Sequence, residues 1–305
     1  MTVIIPTAGS QSVTQFVREI DWGVTPTTPT MFELPIESNT LQVNRTTLTD
    51  NTLRPDRMGG DVRPGMSKNA GALKFNYRRG DFDDILCNLF QAEWSTNKLT
   101  AGKVPISHSA EVGYTDNNQY FLFKALRADK LTIAVKPNSL ISTTIDFIGK
   151  PAGVPTIISN ATVSTPPTDN EPFDSFTGSM KEGGSDFATV TAIDLSFSNN
   201  LTESIVLFQD TISGIVSGNL IVTGTLTAQF FDAVLYNKFY NRTNSSLEFT
   251  LLDVSGKSHK WSIPKIIYTS GDISPTGPGE LSLSLKFHAQ YDSTLGSKIS
   301  ITRTV

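Results

Sequence analysis

Leu73, Phe75 and Tyr77 alternate with Lys74, Asn76 and Arg78, and Leu281, Leu283, Leu285 and Phe287 alternate with Ser282, Ser284, Lys286 and His288. A period of two puts one face of a strand toward a core and the other toward solvent or a partner. The same pattern predicts strands over 32–37, 119–126, 131–136, 140–148, 189–198, 219–227, 247–252, 258–263 and 298–302. Residues 253–257, Asp-Val-Ser-Gly-Lys, separate two of these as a hairpin turn. Only two segments change to the helical period. Phe82, Ile85, Leu86, Leu89 and Phe90 are spaced i, i+3, i+4, i+7, i+8, with Asp81 placed to cap the helix. Phe231, Val234, Leu235 and Phe239 follow the same spacing, with Lys238 in the i+7 slot. Each reads as a short amphipathic helix lying across a sheet, with Phe82, Leu86 and Phe90 packing in the first and Phe231, Leu235 and Phe239 in the second.

The two helices read as copies. Residues 82–90 and 231–239 agree at Phe, Asp, Leu, Asn and Phe, and Ile85 matches Val234. Each follows an alternating strand at the same 149-residue offset, which aligns Leu73 with Val222 and Tyr77 with Leu226. Upstream, Ser38-Asn39-Thr40-Leu41 resembles Ser198-Asn199-Asn200-Leu201. Downstream, Phe123-Lys124-Ala125-Leu126 resembles Pro264-Lys265-Ile266-Ile267. Four matches in one order point to an internal duplication. The prolines at 151, 155, 166, 167 and 172 lie among Thr, Ser and Asn, a linker composition. The expected organisation is therefore an arm over 1–29, a first domain over 30–150, a linker over 151–172 and a second domain over 173–305. Two stretches of the first domain read as irregular: a long loop over 44–69 and a polar insertion over 97–118. Loops longer than about 15 residues are commonly functional or take shape on a partner.

A length of 305 residues agrees with two domains at roughly 150 each. With 38% hydrophobic and 18% charged residues, the composition is that of a folded chain rather than a disordered one. The 25 Lys and Arg against 29 Asp and Glu leave a net charge of −4, which argues against a protein that grips nucleic acid by its phosphates. No run approaches the roughly 20 apolar residues of a membrane span. The first ten residues lack the basic region and apolar core of a signal peptide. The single cysteine, Cys87, excludes an internal disulfide framework and points to a reducing compartment.

Catalytic templates find no match. His108, His259 and His288 have no second ligand at helical spacing, and His288 falls on the polar face of a strand. Gly256-Lys257-Ser258 lacks the glycine that a phosphate-binding loop needs five residues earlier, where Leu251 stands. Asp83 and Asp84 are adjacent and point apart on a helix, and acids in a first turn are expected from the helix dipole alone. Cys87 has Tyr236 as its counterpart. No enzyme, cofactor or metal site is read from these residues. Arg45, Arg54, Asp56, Arg57, Asp61, Arg63 and Lys68 mix signs within the long loop. That mixture fits a solvated loop, and it equally fits a loop docking on an identical neighbour.

Several pieces together resemble the tail tube proteins of long-tailed bacteriophages. They are Thr52-Leu53-Arg54-Pro55-Asp56-Arg57 before an alternating strand, Gly80-Asp81-Phe82-Asp83-Asp84-Ile85-Leu86 ending near Trp94, and Phe173-Asp174-Ser175-Phe176-Thr177-Gly178-Ser179 leading into Ala188-Thr189-Val190-Thr191. The others are 230–239 and the run from Ala289-Gln290-Tyr291-Asp292 to Ile301-Thr302-Arg303-Thr304. The resemblance implies a mainly β chain of two tandem tail-tube-type β-sandwich or barrel domains, each with one flanking helix. It implies rings of six such domains, hence three duplicated chains per ring, stacked into the conduit through which DNA leaves the capsid. The implied partners are further copies of the chain, other tail proteins at the tube ends, and DNA passing without tight binding. The place is the virion tail, assembled in the host cytoplasm. Arg54, Asp56, Arg57, Asp61 and Arg63 would then form a ring-stacking loop. Thr223, Thr225, Thr227, Ser282 and Ser284 would offer a small polar surface. A receptor- or carbohydrate-binding β-sandwich of a virion tip or surface layer is the alternative.

Overall fold

Residues 7–273 and 278–304 are described by the computed structural model. Period-two alternation dominates it: strands make up 52% and helices 6%, so the chain is mainly β. In chain order the first part contains β1 (Ser12–Arg18), β2 (Thr30–Glu33), β3 (Ser38–Asn39), β4 (Gln42–Thr49), β5 (Val62–Asn76), α1 (Asp83–Phe90), β6 (Lys98–Thr100), β7 (His108–Tyr114), β8 (Gln119–Val135), β9 (Ser142–Lys150) and β10 (Val163–Thr165). The remainder contains β11 (Gly178–Glu182), β12 (Ser185–Asp186), β13 (Val190–Ser198), β14 (Thr202–Ser204), β15 (Gly214–Val216), β16 (Ile221–Gln229), α2 (Val234–Tyr240), β17 (Ser245–Leu252), β18 (Ser258–Asp272), β19 (Ser282–Ala289) and β20 (Ser300–Arg303).

Eight strands form one continuous antiparallel ladder in the order β4-β5-β9-β8-β13-β16-β19-β18. The ladder stays open at β4 and at the C-terminal part of β18, so the expected barrel is not closed within one chain. β8 and β18 are long bent strands that serve two layers. Residues 119–126 of β8 pair with β7, which continues through β1 to β2 and β10. The early part of β18 pairs with β17 and β20, and β20 continues to β6. Phe16 of β1 lies 5.7 Å from Phe147 of β9, ring to ring, which places the first half's core between these layers.

One hydrophobic cluster contains buried residues of both halves. Its centre is aromatic: Phe82 stacks on Phe75 at 3.7 Å, Phe90 on Phe197 at 4.9 Å, and Trp261 lies 6.0 Å from Phe90. Phe90 belongs to the first half, whereas Phe197 and Trp261 belong to the second.

Several sequence expectations change. The strands expected at 119–126 and 131–136 are one strand, β8. The stretch 44–69 is not a loop throughout: residues 42–49 and 62–76 are paired strands of a hairpin, with a loop only over 50–61. Its outer part is exposed on both faces, so no hydrophobic alternation marks it. The insertion 97–118 contains β6 and the buried strand β7. The arm 1–29 contains β1, which pairs with both β7 and β2, while residues 1–6 lie outside the described residues. Asp81 does not cap α1: the N-cap position is Phe82, and Asp81 Oδ1 accepts from Thr168 N at 2.8 Å. The linker 151–172 contains β10 and is tied down by a buried carboxylate. Glu111 accepts from Gln15 Nε2, Ser159 Oγ, Asn160 N and Asn160 Nδ2 at 2.5–2.7 Å. Four donors offset the desolvation of one buried charge.

His259 of β18 is fully buried, and its Nδ1 and the Tyr77 hydroxyl share a hydrogen bond of 2.6 Å. Burial, with Arg303 and Arg79 nearby, pushes its pKa down from 6.5 to about 3. The ring stays neutral in the folded chain, while the unfolded chain takes up a proton below 6.5. Its contribution is therefore complete above pH 6.5 and is lost as the pH falls toward 3. The limiting slope for one such group is about 1.4 kcal/mol per pH unit. Urea unfolding between about pH 7 and pH 5 should show that decline, and His259→Gln should flatten it. The depressed carboxylates of Asp84, Asp174 and Asp253 act lower, around and below their ordinary 3.8.

Candidate functional site: the polar face and open edges of one sheet

Alternation along the eight-stranded ladder sends one set of side chains into the core and leaves a broad polar face. Cross-strand neighbours on that face run Lys74–Thr144–Thr132–Ser196–Thr223–His288, one residue from each of six strands. The next row runs Asn76–Ser142–Ala134–Asp194–Thr225–Lys286–Ser270. Thr223, Thr225 and Thr227 thus share a face with Ser282 and Ser284, as their alternation predicts. Hydroxyls and small groups predominate. Charges are mixed: Lys68, Lys74, Lys130 and Lys286 share the face with Asp146, Asp194 and Asp272. Lys68 and Lys74 are paired with Glu203 and Glu37 at 2.6 and 2.7 Å. The bond from Lys74 holds the Glu37 carboxyl below its usual range, and burial raises that of Asp146 despite Lys130. No basic stripe of the kind that binds phosphates lies on this face among the described residues.

The face is continuous because the two halves are joined strand to strand. Residues 130–135 of β8 pair with 193–198 of β13, Lys130 opposite Ser198 and Leu131 opposite Phe197. Side chains above the joint lock it. Asn199 Nδ2 donates to Leu89 O at 2.8 Å and to Ala128 O at 3.0 Å. Asn88 Oδ1 accepts from Ala128 N at 2.9 Å. Arg127 donates to Ile215 O and Ser217 Oγ at 2.8 and 2.7 Å, and Ser217 in turn donates to Gln91 Oε1 at 2.9 Å. The hairpin β14–β15 therefore folds from the second half over the end of α1. These residues are hard to read from the sequence because their partners, mostly backbone groups, lie far along the chain. The traces in the sequence are the agreement of Asn88 with Asn237 and of Asn199 with Asn39.

Of the helix residues expected to pack, Phe82, Leu86 and Phe90 are each 1% exposed. In α2, Leu235 and Phe239 are half-buried, whereas Phe231 lies before the helix, which starts only at Val234, and is 73% exposed, so it does not pack on the sheet. The acids of α1 serve structure. Asp83 meets Arg303 of β20, and burial raises its carboxyl against that pairing. Asp84 takes His108 Nε2 at 2.6 Å and Arg18, and these outweigh burial and lower it. Arg54, Asp56, Arg57, Asp61 and Arg63 lie exposed at the end of the β4–β5 hairpin. Arg54 pairs with Asp56 at 3.2 Å, and Leu53 and Met58 beside them are 98% and 67% exposed. Among the described residues, no group of three potential ligands could hold a metal ion and no helix is long and apolar enough to cross a membrane.

No curated protein matches the chain. The family model described as phage tail tube protein matches residues 9–289. That span takes in the whole eight-stranded ladder, both helices and the joint between the halves, so the chain belongs to the phage tail tube protein family and is a structural component of the virion tail.

Proposed function

We propose that this chain is a duplicated tail tube subunit, three copies of which close into a ring of pseudo-sixfold symmetry. The observation that carries this reading is the β8–β13 joint, which fuses two four-stranded ladders edge to edge. β4-β5-β9-β8 and β13-β16-β19-β18 have the same order of pairing. Gly71 stands opposite Phe147 in one, and Gly224 opposite Phe287 in the other. A Cβ on Gly71 would lie 2.3 Å from Thr40 O, and one on Gly224 2.3 Å from Asp194 O, so both positions need glycine for the same close approach. A bulge follows Ala128 opposite Phe147, and another follows Tyr268 opposite Phe287. This correspondence aligns Leu73 with Leu226, four residues from the alignment that the helices alone suggest.

An open ladder with two bare edges is a poor surface for a monomer, and ring closure removes both. Closure would turn the polar face into the wall of a channel. Its mixed charge and small hydroxyls suit passing DNA, because a basic wall would hold DNA through counterion release. The exposed loop 50–61 and the start of β5, with Arg54, Asp56, Arg57, Asp61 and Arg63 beside bare Leu53 and Met58, form the contact for stacking one ring on the next. Rings so stacked form the tail tube, built in the host cytoplasm and joined at its ends to other tail proteins. The role is structural rather than catalytic.

Negative-stain electron microscopy with light scattering on the same sample tests the reading. Six-lobed rings or tubes at three chains per ring are expected. Six whole chains per ring would overturn the duplication. A monomer that never assembles, even concentrated, would favour the receptor- or glycan-binding module.

A further inference from the structure

The internal joint is a template for the contact between chains. We infer that the β3–β4 edge of one copy adds to the C-terminal edge of β18 in the next, with Asn44 opposite Ser270 and Val43 opposite Gly271. The inference rests on the ring reading and adds to it a strand register.

The register follows from two landmarks. The bulges after Ala128 and Tyr268 make Lys130 the counterpart of Ser270 and Leu131 that of Gly271. The close approaches at Gly71 and Gly224 make Thr40 the counterpart of Asp194, hence Val43 that of Phe197 and Asn44 that of Ser198. Inside the chain, Lys130 faces Ser198 and Leu131 faces Phe197. Carrying both pairs across to the free edges gives the register stated.

Packing agrees with it. Phe197 stacks on Phe90 of α1 at 4.9 Å. The counterpart of Phe90 is Phe239 of α2, and a Cβ on Gly271 would lie 3.0 Å from the Phe239 ring. Val43 laid opposite Gly271 therefore reaches Phe239, as Phe197 reaches Phe90. In the single chain Val43 is 45% exposed, and α2 has no buried residue, whereas six of the eight residues of α1 are buried. A second copy supplies what α2 lacks. Among the described residues, no strand pairs with the outer edge of β4 or with residues 267–271 of β18 on the side away from β19.

Cysteine cross-linking reads the register. Cys87 is buried, with its thiol pushed up to about 11, so the native thiol stays out of the reaction. Oxidised assemblies of the Asn44→Cys/Ser270→Cys variant should give covalent dimers and trimers on non-reducing gels. The yield should be at least about five-fold above that of Asn44→Cys/Asp272→Cys, whose positions are shifted by two residues and 7–8 Å across a ladder. Ser198→Cys/Lys130→Cys should close within one chain and leave the mass unchanged. Equal mixtures of the single variants Asn44→Cys and Ser270→Cys read the same contact as covalent dimers if the double variant does not fold. Rings that form by microscopy but cross-link no better in the proposed register than in the shifted one would overturn the register and leave the ring. A wild-type chain that stays monomeric by light scattering would overturn both.

Discussion

Trp261→Ala should lower the stability of the folded chain by about 3–5 kcal/mol, in the range for truncating a large buried aromatic. Trp261 is fully buried in β18, stacked on Phe249 at 5.9 Å with the rings 6° apart. Its other ring neighbours, Phe90 at 6.0 Å and Tyr77 at 6.1 Å, come from the first half. The loss would therefore be felt across the joint between halves. The buried Nε1 has no partner among the described residues, which places the effect toward the lower end of the range. Urea unfolding followed by circular dichroism, and by fluorescence of the remaining Trp22 and Trp94, should show one transition at a lower midpoint. One transition is expected because the ladder and the core are continuous through residues 130–135 and 193–198. Two separate transitions would mean that the halves fold independently and that the joint contributes little.

Val43→Asp should leave the monomer intact and abolish assembly. The side chain is 45% exposed in the single chain, so the substitution should change monomer stability by no more than about 0.5 kcal/mol. In the ring the carboxylate would be carried against Phe239, with no cation placed to receive it. Burying an unpaired polar group costs roughly 3 kcal/mol, and a charge costs more. At 1.4 kcal/mol per factor of ten, the concentration needed for assembly should rise by about 100-fold or more. Light scattering across a concentration series would measure this, with Val43→Ile as the variant that retains assembly. Normal rings from Val43→Asp would place the contact elsewhere. The two substitutions separate folding from association: one empties the core that unites the halves, the other charges an edge that no further strand pairs with among the described residues.

Much of this architecture is legible in the residues. Alternation at 73–78 and 281–288 reports strands with one apolar face, and the i, i+3, i+4 spacing of Phe82, Ile85 and Leu86 reports a helix, because both periods are local consequences of backbone geometry. The proposed repeat is legible too, since the two helical segments share residues. Its register is not. The turn between strand and helix differs in length between the halves, and only the opposed pairs Gly71–Phe147 and Gly224–Phe287 reveal the correct alignment.

Strand β7 shows a different limit. Ala110, Val112 and Tyr114 alternate there with Ser109, Glu111 and Gly113, which marks one buried face, yet six of the seven residues of His-Ser-Ala-Glu-Val-Gly-Tyr are buried, the polar ones included. Glu111 is acceptable there because Gln15, Ser159 and Asn160 bring donors from distant segments. Phe82 and Phe231 make the same point for burial. They align in the sequence, but Phe82 is the N-cap of α1 whereas Phe231 precedes the N-cap of α2, and they are 1% and 73% exposed. The sequence by itself determined most of the strands and the place of both helices, because those depend on neighbours within a few residues. The tertiary structure alone decided which face is covered and which edge is left bare. Burial depends on what the rest of the chain brings to a surface: elements of both halves enclose α1, whereas among the described residues α2 packs on β18 and has no buried residue.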